Sequence, residues 1–155
     1  MSTYTGVTHS RLKAISLEAD TATITQLNVT DSVLSTRTRF TVAEVNAGAT
    51  LVAAVTGKAI RMVSCKAIAV GGAAGAVTTV DVLGTSTTAR KLVAFAQANL
   101  TRSAVLTAGG TGAAVLADGA SYTVNDAGVA VTVGKTGSSV TTATHIDVIF
   151  DYVLV

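Results

Sequence analysis

The stretch Gly134-Lys135-Thr136 has the residue types that end a phosphate-binding loop. Such a loop needs a glycine, four further residues and then Gly-Lys-Thr, so that consecutive main-chain N–H groups hold a phosphate at a helix N-terminus. In this chain five residues separate Gly128 from Gly134, and those residues favour a strand. No helical pattern follows Thr136. The sequence therefore predicts a strand that ends in a turn, and not a nucleotide site.

A second polar group, His145, Asp147 and Asp151, shares one face of the predicted last strand. A metal site would need a third or fourth ligand nearby, and a catalytic triad would need a nucleophile on a sharp turn. The other histidine, His9, lies in the N-terminal segment, and no spacing among the 9 acidic residues selects a catalytic pair. We therefore expect solvent-facing or interface residues here, with no enzymatic activity and no cofactor.

Cys65 is the single cysteine, which excludes an internal disulfide and a zinc site built on cysteine. Its neighbours Val63 and Ala67 are apolar, a pattern that indicates a small buried hydrophobe and not a reactive thiol. No apolar signal region follows the polar start of the chain, and no uncharged run is long enough to span a membrane. We expect a soluble protein made in a reducing cytoplasm.

The composition restricts the partners that this chain can have. Its 155 residues suffice for one domain, but charged residues are only 13% of them, against about 25% in a typical protein. So few charges cover a monomer thinly, and we expect other copies or a partner to cover part of the surface. A net charge of +2 with scattered basic residues does not indicate nucleic acid.

The pattern of apolar residues changes near residue 37. From there on, short β-prone runs alternate with turn signals, as in an antiparallel β-sandwich. The run at 59–70 has apolar residues on both parities, which predicts burial on both sides, and Gly71–Gly75 is typical of a mobile loop tip more than of a ligand contact. The predicted strands are Arg39 to Val45, Thr50 to Val55, Ala59 to Val70, Val77 to Leu83, a strand with a helical turn around Gln97 within Ala89 to Leu100, Ser103 to Leu106, Ala113 to Leu116, Ser121 to Val124, Val129 to Val133 and the strand that ends the chain.

The last strand is the clearest, because it alternates from Ile146 to Leu154 with Val148, Phe150 and Tyr152 on the same face. We therefore predict an all-β fold, an antiparallel β-sandwich of the jelly-roll or Ig-like kind, over residues 37–155. Residues 1–36 are predicted to form an N-terminal extended arm or a short trimeric β-stalk used for attachment or trimerisation.

The apolar residues of the N-terminal segment keep neither the period of a strand nor that of a helix. A segment whose apolar face keeps changing fits successive layers of a shared stalk, or an arm along a partner surface, better than an isolated monomer. Arg37, Arg39 and Arg61 could meet an acidic partner surface or simply be solvated. The candidate contacts in a trimer or on a partner surface are Ile15, Leu17, Ile24, Leu27, Val29, Val33, Arg37 and Arg39.

Several turn-and-strand segments together carry a resemblance to a known family. They are Arg39–Gly48, Ala69–Gly72, Thr79–Gly84, Ala117–Ser121, Gly134–Ser138 and Ala143–Val148. With these segments the chain resembles the small virion proteins that tailed bacteriophages encode beside their capsid genes, of the head-fibre or capsid-decoration kind. The resemblance implies a β-rich homotrimer that binds the outside of an assembled head, and it offers no catalytic residues to carry over.

The leading hypothesis is a structural virion protein that binds the major capsid protein lattice as a trimer, decorating and stabilising the head. It would be made in the bacterial host cytoplasm and end on the capsid exterior, without contact with nucleic acid or membrane. The alternative is the receptor-binding tip domain of a phage tail fibre, whose loops near 71–75 and 109–112 would touch a host glycan. A virion-associated hydrolase is a third hypothesis, which would need activity that depends on His145 or Asp147.

Overall fold

The computed structural model describes residues 32–84, 90–108 and 125–155. Nearly all regular structure in these ranges is antiparallel β, in two four-stranded sheets, so the predicted all-β sandwich is confirmed. The elements are β1 Leu34–Thr41, α1 Val42–Ala47, β2 Ala49–Val52, β3 Ile60–Val70, β4 Val77–Gly84, β5 Arg90–Ala96, β6 Leu106–Thr107, β7 Val131–Gly137 and β8 His145–Leu154.

The first sheet has the strand order β1-β8-β3-β6, and the second has the order β2-β7-β4-β5. One hydrophobic core draws buried side chains from both sheets, for example Phe150 and Ile146 of the first and Phe95 and Val82 of the second. The strands of the first sheet bury mainly one face, because an antiparallel sheet can pack on one side and meet water on the other. In the second sheet β5 is buried on both faces, since the consecutive residues Leu92 to Phe95 are at most 4% exposed.

β8 lies between β1, which pairs with it from His145 to Tyr152, and β3, which pairs with it up to Leu154. Its residues Ile146, Val148 and Phe150 are at most 1% exposed, so the predicted alternation of the last strand is confirmed. Tyr152 continues the same row and packs its ring on Phe150, with the ring centroids 5.8 Å apart.

The predicted two-sided burial of β3 is wrong. The register with β8 shifts between Met62 and Ser64, which makes Val63 the extra residue of a β-bulge. Met62 is buried before the bulge and Cys65 after it, whereas Val63 is 53% exposed. One inserted residue reverses the parity of the strand, so apolar residues of both parities reach the same core.

The predicted strand over Arg39 to Val45 is wrong in its second half, because the chain turns into the short helix α1 after Thr41. The Thr41 hydroxyl accepts from the Glu44 N–H, and the Glu44 carboxylate accepts from the Thr41 N–H. This reciprocal capping box satisfies donors that a helix start leaves free. Gly48 ends the helix at φ +85°, a left-handed conformation that glycine adopts without strain, and Val45 is fully buried.

The remaining strand predictions agree in part. β5 followed by a turn at residues 97–99 confirms the strand and turn predicted there, while β6 begins at Leu106, later than expected. Predicted strands Ala113 to Leu116 and Ser121 to Val124 lie outside the described residues. So does the N-terminal segment before residue 32, and the division of the chain at residue 37 stays a prediction.

Gly71–Gly75 is a loop, as expected, and it packs closely on the chain's own segment before β8. A Cβ on Gly72 would lie 2.7 Å from the main-chain oxygen of Thr142, and the Thr144 N–H donates to the Val70 carbonyl. The close approach that Gly72 permits is therefore made by the protein backbone.

Candidate protein-binding face of the first sheet

The solvent side of the first sheet, here called the outer face, collects the polar residues that the sequence singled out. It is formed by the odd-numbered residues 35–41 of β1 and 145–153 of β8, together with the outward residues of β3. The register sets Arg39 beside Asp147 and Ser35 beside Asp151. Alternation along each strand thus brings residues more than 100 positions apart onto one surface.

Asp147 is the carboxylate that joins β1 to β8. Arg39 donates to it through both Nε, at 2.7 Å, and Nη2, at 2.9 Å, and Arg37 Nη2 lies 3.7 Å from the same group. The two-point bond from Arg39, aided by the positive charge of both arginines, lowers the pKa of Asp147. One carboxylate therefore serves two guanidinium groups, and Arg37, the more distant one, has a side chain that is 73% exposed.

Asp151 spans three strands. It accepts a hydrogen bond from Ser35 Oγ of β1, at 2.6 Å, and another from Ser64 Oγ of β3. These two hydroxyl donors, with a smaller contribution from the charge of Lys66, lower the pKa of Asp151. The bonds fix the bulge of β3 against β8, because Ser64 is the residue that pairs with Asp151 there.

Between these polar rows lies a shallow, mostly apolar depression of about 160 Å³. Ile68 of β3 and Ile149 of β8 lie next to the row of Asp147, and Val105, which precedes β6, is 57% exposed. The full lining is Arg37, Lys66, Ala67, Ile68, Val105, Asp147 and Ile149. An apolar group rimmed by charged residues at the surface makes this depression a candidate protein-binding site.

The charges of the outer face do not balance. Its three long strands carry four cations but only two carboxylates. These groups are Arg37, Arg39, Arg61 and Lys66, and Asp147 and Asp151. Among the described residues, neither Arg61 nor Lys66 forms an ion pair. Glu44 lies beyond the end of the sheet, bound to Thr41. The outer face is therefore positive around an apolar centre.

Three of the predicted contact residues fall within the described ranges. Arg37 and Arg39 are on the outer face, and both form ion pairs with Asp147. The sequence did not suggest this intramolecular role. Val33 precedes β1 and is 57% exposed. The other five, Ile15, Leu17, Ile24, Leu27 and Val29, lie outside the described residues.

Reasoning from sequence missed the apolar part of this surface. Ile149 shares the parity of Asp147 and Asp151, so the alternation of β8 already placed it on the polar side. Ile68 was assigned to the core because the bulge at Val63 was not recognised, and only the bulge moves it outward.

The phosphate-loop resemblance of Gly134-Lys135-Thr136 has no counterpart in the geometry, because all three residues lie within β7. The strand continues past the predicted turn to Gly137, and Lys135 Nζ donates to the Gly137 carbonyl at 3.0 Å. Consecutive residues of a strand point their N–H groups to opposite sides, so they cannot converge on one phosphate.

Two other candidates for chemistry, Cys65 and His145, lie in the described part of the chain. Cys65 is fully buried, and burial raises the pKa of its thiol to about 12, which confirms the buried hydrophobe. His145 lies 3.1 Å from the hydroxyl of Thr144. No group of three or more metal-ligating side chains occurs among the residues that the structure describes.

A buried carboxylate in the second sheet was not anticipated. Asp81 of β4 is 1% exposed, and it accepts hydrogen bonds at 2.7 Å from both Thr79 and Thr136. Lys91 of β5 completes the set, with Nζ 3.1 Å from Oδ2. A buried charge needs such partners because it has lost its water, so this group joins three strands.

Comparison with protein-family models, with curated proteins and with solved structures gives no significant match. In the described ranges, none of the helices has the length and apolar character that crossing a membrane requires.

Proposed function

We propose that this chain is a structural, non-catalytic protein of the bacteriophage virion. It binds the major capsid protein lattice from outside as a homotrimer, and so decorates and stabilises the head. The observation that carries the proposal is the outer face of the first sheet, where the exposed Val105 and the half-buried Ile68 and Ile149 lie among arginines and a lysine. Arginine with apolar neighbours is typical of protein–protein interfaces.

A lattice partner suits the dimensions of this surface. The depression is shallow, about 160 Å³, whereas sites for small molecules are deeper clefts of roughly 300–1,000 Å³. A weak contact is sufficient on a capsid, because a trimer that engages three neighbouring subunits gains avidity from effective concentration. The resemblance of the turn-and-strand segments to head-fibre and decoration proteins points to the same partner.

Binding to purified particles tests the proposal. The full chain is incubated at micromolar concentration with phage heads that lack it and, separately, with isolated tails, and each mixture is sedimented. We expect saturable binding to heads only, and light scattering should give a solution mass three times the 15.5 kDa of one chain.

Two outcomes contradict the proposal. Absence from the head pellet at micromolar concentration refutes capsid binding, and a monomeric mass refutes the trimer. Binding to tails and to host cells instead would establish the alternative, a tail-fibre tip.

A further inference from the structure

We infer that the depression between Arg37 and Lys66 is an anchor pocket for an acidic protein segment, one that inserts an aliphatic side chain and places a carboxylate beside it. The inference rests on the proposed function and deepens it, because it names the chemistry of the capsid surface that this chain recognises. It concerns one part of the outer face and not the whole sheet.

The apolar requirement follows from the floor of the pocket. Ile68, Val105 and Ile149 line it, and none of them offers a hydrogen bond from its side chain. An inserted aliphatic side chain would remove apolar surface from water on both partners, which stabilises the contact. A volume of about 160 Å³ admits one such side chain but not a larger ligand.

The acidic requirement follows from the rim. Arg37 reaches Asp147 only at 3.7 Å, and Arg39 already holds that carboxylate with two hydrogen bonds. Lys66 has no ion-pair partner among the described residues. Two cations on opposite sides of the depression are therefore available to a carboxylate that arrives with the inserted side chain. A basic segment would be repelled, so the rim also supplies specificity.

Nucleic acid fits this surface less well. Its phosphates would meet the aliphatic floor, and the rim offers two cations, whereas a protein that binds nucleic acid contacts several phosphates. Among the described residues, no aromatic side chain lines the depression. A base would therefore find no ring to stack on. A two-fold contact between this surface and the same surface of a second copy is also disfavoured, because the same excess of positive charge would face itself.

A peptide titration tests the pocket without any phage particle. The full chain, labelled at its methyl groups, is titrated with a blocked Asp-Leu-Asp tripeptide, and in parallel with a blocked Lys-Leu-Lys tripeptide and a short DNA duplex. We expect saturable shifts of the Ile68, Val105 and Ile149 methyl signals at millimolar concentration of the acidic peptide only. Added salt should weaken them, because the rim charges are exposed.

Head binding by variants tests the same pocket in its proposed setting. Lys66→Glu and Val105→Asp each change one exposed side chain of the pocket, and we expect each to weaken head binding at least tenfold. Two matched controls carry the same changes elsewhere. Arg61→Glu is on the outer face but outside the depression, and Val55→Asp is in the turn between β2 and β3. Both controls should bind within about threefold of the wild type, since exposed charges away from a contact contribute little.

The outcomes separate this inference from the proposed function. If the wild type binds heads and the pocket variants bind equally well, the pocket is refuted and capsid binding stands. Methyl shifts with the basic peptide or with DNA, or none with the acidic peptide, also overturn the inference. If the acidic peptide binds but neither the wild type nor any variant binds heads, the pocket still recognises an acidic segment. Its assignment to the capsid is then refuted.

Discussion

The β-bulge of β3 makes a quantitative prediction about the deletion of single residues. Met62 pairs with Tyr152 and Ser64 pairs with the next residue of β8, Asp151, so Val63 has no position of its own in the ladder. Deleting Val63 should remove the bulge and leave every other pair in register. Deleting Lys66, three residues further along the same strand, should instead disturb the register.

The magnitudes follow from what each deletion exposes or buries. Val63 is 53% exposed, so its loss should change the free energy of unfolding by no more than about 1 kcal/mol. After deletion of Lys66, the chain can keep its pairs only by placing Ser64 where Cys65 is now buried. A buried hydroxyl without a partner costs about 1–3 kcal/mol, and the lost hydrogen bond to Asp151 costs about 1.5–3 kcal/mol more.

If the bulge is retained instead, Ile68 enters a core position filled by alanine, and overpacking costs about 1–3 kcal/mol. Deletion of Lys66 is therefore destabilising on either route, by about 2.5–6 kcal/mol on the first and by about 1–3 kcal/mol on the second. Against a total stability of about 5–15 kcal/mol, this is a large fraction.

Urea unfolding followed by far-UV circular dichroism measures both deletions, because the chain has no tryptophan to serve as a fluorescent probe. We expect a midpoint close to that of the wild type for the Val63 deletion and a clearly lower one for the Lys66 deletion. Equal losses in the two variants would refute the argument that the bulge, and not the identity of the residue, sets the parity of β3.

Three further predictions use the same measurement. Gly72→Ala should destabilise the fold by about 1–3 kcal/mol, because its Cβ would lie 2.7 Å from a main-chain oxygen. Gly134→Ala should destabilise it less, because there the Cβ would meet a leucine methyl at 3.2 Å. Equal losses of stability in the two variants would contradict this. Lys91→Met leaves the buried carboxylate of Asp81 without its cation and should cost about 1–3 kcal/mol, and adding Asp81→Asn should restore part of the loss; a neutral Lys91→Met would show that the ion pair contributes nothing. The hydrogen bond from Arg39 lowers the pKa of Asp147. The contribution of this carboxylate to the free energy of unfolding is therefore present above the unfolded pKa of about 3.9 and is lost as pH falls through the lower folded value. The wild type should lose more stability between pH 7 and pH 3 than Asp147→Asn does, and parallel losses in the two proteins would contradict this.

The sequence predicted the fold where local pattern and tertiary packing agree. β8 alternates without interruption, and its inward row is buried as expected from Ile146 to Phe150. The turn after β5 was also legible, because the composition around Gln97 favours one. The start of α1 also has a local signal in the sequence, since Thr41 and Glu44 have the spacing of a capping box.

The candidate surface was predictable only in part. Arg37 and Arg39 were recognised as exposed residues that could meet a partner, but not as the two partners of Asp147. That pairing depends on a register between segments 108 residues apart along the chain, and no local pattern encodes such a distance. The buried group around Asp81 was missed for the same reason, because its hydroxyl and ammonium partners come from three strands.

The sequence by itself determined that this chain is an all-β sandwich with few charges, a buried cysteine and no recognisable catalytic motif. These properties follow from composition and from the period of two, which are local. Only the tertiary structure decided which side of β3 is buried, because a single extra residue at Val63 reverses its parity. It also decided that Ile68, Val105 and Ile149 meet in one depression, since the contact of three separate strands and loops depends on register and on packing, which are properties of the whole fold.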